Sequence, residues 1–496
     1  MGSQSIDWLT HFLALVPELS LLILMVAVIT YDRLLKPAER RRVGLLTAWG
    51  AVIILLITVG LVAFGQTELT KAPLWGGMIR NDSVTLVFRV IALSALIVTS
   101  LISLDVPHLQ KGEYSTLLLS ATLGFSLMGA ASDLIMLYVA LETASLSLYI
   151  LAGFITSSNR STEAGMKYLV YGAFASAVML YGMSLIYGVT GQTNIYIIGE
   201  LVTQAGRLTP ELNGIFLLAA VMIVAGFGFK VSAVPFHFWT PDVYEGSHSA
   251  VTAFLSTASK AAGFAIFLRV FMSGMLGVPE AGNDWWAMLV AMTIVTMTLG
   301  NFLAIYQTNI KRMLAYSSIA QAGYALVGLV ALSPDGSGAT MFYLLMYVAT
   351  NIAAFGVIIL VSNVTGSDEM KDFYGLSRRS PYLALVMMLA LLSLGGIPPT
   401  AGFFGKFFLF KAAVDSGLWW LAFIGVFNAF IALYYYLGVI KYMYLYRSED
   451  EASEIPVSRA AQVALALTVI AIIYLGIAAG PAFDWTLQAG SAFFPG

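Results

Sequence analysis

Cysteine is absent from the 496 residues. That excludes disulfides, thiol nucleophiles, cysteine-ligated zinc and iron–sulfur clusters held by this chain. Histidine is scarce, and His11, His108, His237 and His248 are scattered with no metal-ligand spacing. No glycine-rich stretch matches a phosphate cradle or a dinucleotide-binding turn. Charged residues make up 10% of the chain, against about 25% in soluble domains. The net charge is −2, so no nucleic-acid partner is expected. Alternating strand-like segments are also missing, which argues against an outer-membrane barrel. No cleavable signal peptide is expected, because the first apolar run follows Asp7 with no basic region before it.

What is present is apolar. Hydrophobic residues account for 59% of the chain, and the mean hydropathy is +0.85. Runs of about 20 apolar residues recur from end to end, the signature of an all-α polytopic membrane protein. Fourteen spans are expected, near 10–30, 43–64, 83–104, 114–131, 133–155, 164–188, 213–234, 247–274, 285–305, 313–332, 339–362, 381–412, 418–445 and 460–482. With the first basic loop (Arg33, Lys36, Arg40, Arg41, Arg42) placed inside, this count puts fifteen basic loop residues on that side. Only Lys71, Arg80 and Arg207 fall in loops on the other side. Both termini are then expected outside.

One stretch combines a charge with a helix break: Gly226-Phe-Gly-Phe-Lys230-Val-Ser-Ala-Val-Pro235-Phe-His237. A lysine at bilayer depth costs about 2.5–3.5 kcal/mol on insertion scales, and by default marks an ion-handling site. Proline removes a backbone donor and opens the helix ladder. The competing reading is a lysine that snorkels to the headgroups. Span twelve repeats the theme, with Gly395-Gly396-Ile-Pro398-Pro399 and then Lys406. The two broken helices lie five spans apart. The expected organisation is therefore an N-terminal three-helix segment (1–112), a five-helix unit (113–275), a second and inverted five-helix unit (285–446), and a C-terminal helix (447–496). Inverted repeats with discontinuous helices are a transporter signature.

Polar residues recur at helical spacing. Tyr138, Glu142, Ser145 and Tyr149 form one stripe in span five, and His248, Thr252, Ser256 and Lys260 a second in span eight. Ser317, Gln321 and Tyr324 form a third, and Tyr343, Tyr347 and Asn351 a fourth. Any one stripe is explained equally well as glue between helices in lipid. Four stripes, two carrying a charge, favour a proton route. A lysine taken out of water loses part of its preference for the charged form, and a nearby carboxylate restores it. Glu142 and Lys230 suit such a pair. Three deep lysines against one mid-span carboxylate favour protons over sodium, which wants oxygen ligands. Arg89, Arg269 and Lys441 lie toward span ends, where snorkelling accounts for them as well as function does. Glu18, after Pro17, suits packing as well as function.

These residues resemble the antiporter-like membrane subunits of respiratory complex I (proton-pumping NADH:quinone oxidoreductase) and of Mrp-type cation/proton antiporters. The resembling motifs are Leu141-Glu142-Thr143, Gly228-Phe-Lys230, Val234-Pro-Phe-His-Phe-Trp-Thr-Pro-Asp242-Val-Tyr-Glu245-Gly246 and Leu255-Ser-Thr-Ala-Ser-Lys260. Ile310-Lys-Arg-Met-Leu-Ala-Tyr-Ser-Ser318 and Gly396-Ile-Pro-Pro-Thr-Ala-Gly-Phe-Phe-Gly405-Lys406 complete the match. Lys406, the short C-terminal extension, the segment from Glu163 to Ser176 and Tyr434-Tyr-Tyr-Leu437 resemble the N-type branch.

The resemblance implies proton translocation through two half-channels. Glu142 and Lys230 would form the modulated pair, Lys260 the relay, and Lys406 the outward donor. His248, Thr252, Ser256, Tyr138, Tyr149, Ser317, Gln321, Tyr347 and Lys441 are the further pathway candidates. It also implies no cofactor in this chain. NADH or another donor, FMN, iron–sulfur clusters and quinone would belong to partner subunits. The implied partners are other membrane and peripheral subunits, including neighbouring antiporter-like ones, together with lipids of a prokaryotic inner membrane or an equivalent energy-transducing membrane. Two other readings remain at this point: a sodium/proton antiporter subunit without a redox partner, and a membrane scaffold whose lysines only fix packing.

Overall fold

The structure is a computed structural model that describes residues 8–65, 69, 72–204, 210–275, 283–448 and 454–494. Lys71 and Arg207, two of the basic residues expected outside, lie outside the described residues. Among the described residues the chain is helical, with only isolated β-bridges between loops. Eleven of the helices among the described residues are long and apolar enough to cross a membrane.

The helices that matter below are α1 (Val16–Leu34), α2 (Arg41–Ala63), α3 (Ser83–Ser103), α4 (Gly112–Ala130), α5 (Leu134–Ala152), α6 (Asn159–Thr190), α7 (Pro210–Val231) and the short α8 (Trp239–Gly246). They continue with α9 (Ser249–Ser273), α10 (Asn283–Ile305), α11 (Ile310–Val330), α12 (Pro334–Thr365), α13 (Pro381–Gly395), α14 (Ala401–Asp415), α15 (Trp419–Leu445), α16 (Arg459–Ile477) and α17 (Ala479–Gly490). The eleven apolar crossings match eleven of the expected spans. The other three expected spans fall on α1, on α4 and on the broken pair α13 and α14.

Helix starts follow local capping chemistry. Asp82, Asp133, Ser158, Asn309, Ser333 and Ser458 each accept from a backbone N–H of the first turn. The bundle is layered. In the apolar 18-residue stretch of each crossing, all residues of α9, 94% of α11 and 89% of α12 are buried, against 33% of α6 and of α15. The lysine-bearing stretches thus sit on or against the innermost helices.

The loops sort to two ends. At one end Asp105 accepts from Arg41 at 3.4 Å and from Ser458 at 2.7 Å, and Asn363 donates to its carbonyl. At the other end Trp75 donates its N–H to His11 Nδ1 at 3.1 Å, and residues 77–80 bond to residues 130–132. Helix α17 packs its Leu487 against Gly338, also away from the basic loops. Helix Trp8–Leu13 and α17 therefore share the end opposite the first basic loop.

Both predicted breaks are present. After α7 the chain turns through residues 232–238 before α8 begins. The freed groups find new partners: Phe229 carbonyl accepts Trp239 Nε1 at 3.0 Å, and Val234 N–H donates to Thr296 Oγ1 at 3.0 Å. Between α13 and α14, Gly396 has φ +83, a left-handed position where a side chain would also meet the Lys406 stem at 3.0 Å. Gly402 brings α14 so close that an added Cβ would overlap the Ser393 carbonyl.

For Arg89 and Arg269 one of the two readings left open by the sequence, snorkelling, is ruled out. Arg89 and Arg269 do not snorkel. Arg89 is buried and holds Glu18 through Nε and Nη2 at 2.9 Å each, with Asn81 Oδ1 at 2.8 Å. Glu18 in turn accepts a short bond from Ser126. Arg269 is wholly buried and grips Asp82 with both guanidinium nitrogens at 2.7 and 2.6 Å, adding Thr85, Tyr196 and the Gly129 carbonyl. Burial pushes the Asp82 carboxyl up, but the Arg269 charge and the hydrogen bonds from Arg269 and Thr85 together outweigh this and leave it below the usual carboxylate range. Each arginine found a carboxylate within the bundle, so neither had to reach for water.

Candidate functional site

The site is built along α5, α7, α9, α11, α12, α14 and α15. Lys230, one residue before α7 ends, is buried, and its Nζ donates to Ser145 Oγ on α5 at 3.0 Å. Glu142, one turn earlier on α5, is half-buried and accepts from Ser176 Oγ on α6 at 2.5 Å. Among the described residues no ion pair joins Glu142 to Lys230. Glu142 lies on the α5 stripe and Lys230 reaches that stripe from α7, each held by a serine. Tyr149, further along that stripe, packs edge-on against Tyr168 at 4.7 Å between centroids. Tyr138, one turn before Glu142, is half-buried.

The Lys230 stem packs on Gly263 of α9, where an added Cβ would lie 3.2 Å from Lys230 Cγ. Lys260, one turn earlier on α9, is buried and donates to the Ser318 carbonyl at 2.8 Å. The α9 stripe is not a regular ladder. Leu255–Ser259 is wound as a π-turn, which shifts the register between Ser256 and Lys260. His248 caps α9 through Nδ1, and Thr252 donates to the Tyr244 and His248 carbonyls. Ser256 accepts from Asn351 Nδ2 at 2.7 Å. Asn351 also donates to Tyr347 OH at 3.2 Å, and Tyr347 donates to Ser318 Oγ at 2.7 Å.

The next residue back on α11 belongs to a second set. Ser317 Oγ and Tyr436 OH are 2.5 Å apart, and Gln321 Nε2 donates to Tyr436 OH at 3.0 Å. Tyr343 donates a short bond to Gln321 Oε1. Gln321 Nε2 also reaches the Leu394 carbonyl at 3.1 Å, at the end of α13. Lys406 shares that carbonyl at 2.8 Å, takes the Gly395 carbonyl at 3.1 Å, and lies 4.7 Å from the centre of the Tyr324 ring. A helix C-terminus is the negative end of its dipole, so α13 offers the ammonium a fixed complement without a carboxylate. Between Lys260 and Lys406 the buried polar groups thus fall into two hydrogen-bonded sets, Ser256–Asn351–Tyr347–Ser318 and Ser317–Tyr436–Gln321–Tyr343, which come together at the adjacent residues Ser317 and Ser318.

Lys441 lies apart from both sets. It is exposed, 5.6 Å from the centre of the Tyr446 ring. Sequence reasoning missed Ser318, Asn301 and the role of Tyr435 and Tyr436. Asn301 donates to Tyr324 OH at 3.0 Å and accepts from Tyr435 OH at 2.9 Å. A lone amide in the apolar run of α10 was the available signal. Among the described residues no cluster of three or more His, Asp or Glu is placed to hold a metal ion.

Around the first break, at the end that carries the basic loops, lies a second group of charges. Asp242 on α8 accepts from Lys167 at 2.7 Å and from Arg312 at 2.9 Å, and Arg312 also holds Glu245 at 3.0 Å. Burial pushes the Asp242 carboxyl up, but the bonds from Lys167 and Arg312 outweigh it and hold it below the usual range.

The sequence model of a family described as NADH:quinone oxidoreductase/Mrp antiporter membrane proteins matches residues 131–432. NADH-quinone oxidoreductase subunit N of Moorella thermoacetica is 43% identical over 435 residues, covering 87% of this chain and 89% of its own. NAD(P)H-quinone oxidoreductase subunit 2 of Synechocystis is 41% identical over 463 residues, covering 90% and 87%. Among solved structures, a chain of respiratory complex I from Thermus thermophilus with bound aureothin is 32% identical, with a TM-score of 0.78 over 94% of this chain and 98% of that one.

Proposed function

The chain belongs to the NADH:quinone oxidoreductase/Mrp antiporter family, and from that premise we propose that it is a proton-translocating membrane subunit of a redox-driven quinone oxidoreductase. The names borne by both curated relatives support the redox-linked assembly over the sodium/proton antiporter alternative. The electron donor, flavin, iron–sulfur clusters and quinone are assigned to partner subunits, since this chain offers no thiolate to hold a cluster. Fourteen spans are proposed, counting α1, α4 and the broken pair α13–α14 with the eleven apolar crossings. Two inverted five-helix units follow from the two breaks, five spans apart. The placement of helix Trp8–Leu13 and α17 opposite the basic loops supports both termini lying outside.

The observation that carries the proposal is the series of buried polar groups between Lys260 and Lys406, two hydrogen-bonded sets that meet at Ser317 and Ser318. Hydroxyls both donate and accept, so Ser317, Tyr436, Tyr347 and Ser318 can each pass a proton on. Gln321 holds Tyr436, Tyr343 and the Leu394 carbonyl in register. The proposed sequence runs from the basic end past His248, Thr252 and Ser256 to the Lys230–Lys260 region. It then follows α11 and leaves through Lys406. Glu142 sets how firmly Lys230 keeps its proton. It does so by moving between its Ser176 contact and a position nearer the ammonium.

Tyr436→Phe tests the second set, because it removes only the hydroxyl that joins Ser317 to Gln321. The assembled complex should reduce quinone yet pump fewer protons per electron in proteoliposomes. Unchanged pumping in that variant would sink the assignment. Purification of the parent with no flavin or iron–sulfur protein attached would move the chain to the antiporter reading.

A further inference from the structure

Helices α1 and α2 leave a groove of about 810 Å³ on the surface of the bundle. Its walls are aliphatic along most of their length, with Ile23, Val26 and Leu45, and the Trp49 ring closes one side. Ile23, Val26 and Trp49 are 70%, 65% and 64% exposed on this side. One end of the groove is different. Tyr31 and Arg42 line it there, and the turn that joins the helices adds Arg33, Lys36, Arg40 and Arg41.

The charges at that end do not balance. Asp32, Glu39 and Asp105 pair with Arg40, Arg42 and Arg41. Arg33 and Lys36 are exposed and have no ion-pair partner among the described residues. Five basic groups against three acidic ones leave a positive excess over an apolar slot. The Arg42–Glu39 pair is 2.8 Å long but joins side chains that are 59% and 36% exposed. Such a pair exchanges readily for a better anion, and a guanidinium fork matches a phosphate. A helix of a neighbouring subunit would favour small residues that allow close approach. These walls are mostly Ile, Val, Leu and Trp. A basic pocket between membrane helices suits an anionic headgroup.

We infer that the groove between α1 and α2 is a binding site for an anionic phospholipid. Its acyl chains lie along Ile23, Val26 and Trp49, and its headgroup phosphate sits on Arg42 beneath the Arg33–Arg41 turn. This assignment does not depend on proton translocation, so its test is independent of the function proposed above.

The test uses the intact complex in vesicles that contain phosphatidylglycerol or phosphatidylcholine with the same photoreactive acyl chain. Cross-links are mapped to peptides by mass spectrometry. The phosphatidylglycerol probe should label the Ile23–Trp49 peptides about fivefold more than the phosphatidylcholine probe, the factor one basic residue supplies at an anionic surface. Arg42→Gln should bring the two probes level, and Arg42→Lys should keep most of the preference. High salt should erase the preference in the parent protein without any substitution. Equal labelling of the parent by both probes would overturn the proposal and leave ordinary lipid contact. Absence of lipid labelling, with the groove cross-linked to a neighbouring subunit, would overturn it in favour of a protein occupant.

Discussion

Lys406→Arg separates a proton carrier from a fixed charge. Lys406 is buried, and its ammonium rests on the Leu394 and Gly395 carbonyls at 2.8 and 3.1 Å. Arginine can reach the same carbonyls and keeps the charge over the Tyr324 ring, so assembly should survive. What it cannot do is let go of the proton. A guanidinium with a pKa above about 12 is some five units from neutral pH. At about 1.4 kcal/mol per unit, release costs about 7 kcal/mol, a slowing of about 10⁵-fold. Translocation through this chain should therefore stop while quinone reduction continues in the uncoupled complex. The assay is proton uptake per electron in proteoliposomes, with native gels to check assembly. Lys406→Glu should pump better than Lys406→Arg, because a carboxyl titrates. Lys406→Met is the structural control. It leaves the Leu394 carbonyl with Gln321 but strips the Gly395 carbonyl of the ammonium, at about 1–3 kcal/mol. If Lys406→Arg pumps like the parent, the residue is an anchor and the outward route lies elsewhere.

Glu142→Gln keeps an acceptor for Ser176 but no charge, so assembly should persist and protons per electron should fall. Parental pumping would remove Glu142 from the mechanism. Lys230→Met loses the Ser145 bond and should give an assembled, poorly coupled complex. If native gels instead show loss of the complex, with normal coupling in what remains, the residue is structural. Arg269→Met strands the buried Asp82 carboxylate at about 3–5 kcal/mol, and pairing it with Asp82→Asn should recover part of that in a thermal melt of the complex. Equal stability of the single and double variants would refute the pairing. The Asp242 carboxyl is held below its ordinary value of about 4. Its contribution to holding α8 is therefore full above about pH 4 and disappears as pH falls below that. Asp242→Asn should flatten the dependence, measured as hydrogen exchange of residues 239–246 between pH 3 and 6, and an unchanged profile would discount the pair.

Much of the helical layout was legible in the chain because entry into lipid is a local matter. A run of about 20 apolar residues is favourable there whatever its neighbours, which is why the apolar crossings fall where hydropathy puts them. The two breaks were equally legible, since proline and paired glycines act on their own backbone. Lys230, Lys260 and Lys406 stood out because a charge in such a run is expensive wherever the helix ends up. Partner choice is different. Arg269 meets Asp82 from 187 residues away, and Arg89 meets Glu18 from 71. In the sequence both arginines lay toward span ends, where snorkelling accounted for them as well as function did. The regular stripe on α9 also failed to show that a π-turn would shift its register before Lys260. Nor did the sequence mark Ser318, Tyr436 or the Leu394 carbonyl as the links between Lys260 and Lys406. Helices that are apolar all round carry no stripe to say which face turns inward. Their rotation is set by packing against neighbours, by close approaches such as Gly402 on Ser393 and Gly263 on Lys230. Only the assembled bundle could decide which hydroxyls face one another, because that depends on the mutual rotation of helices far apart in the chain.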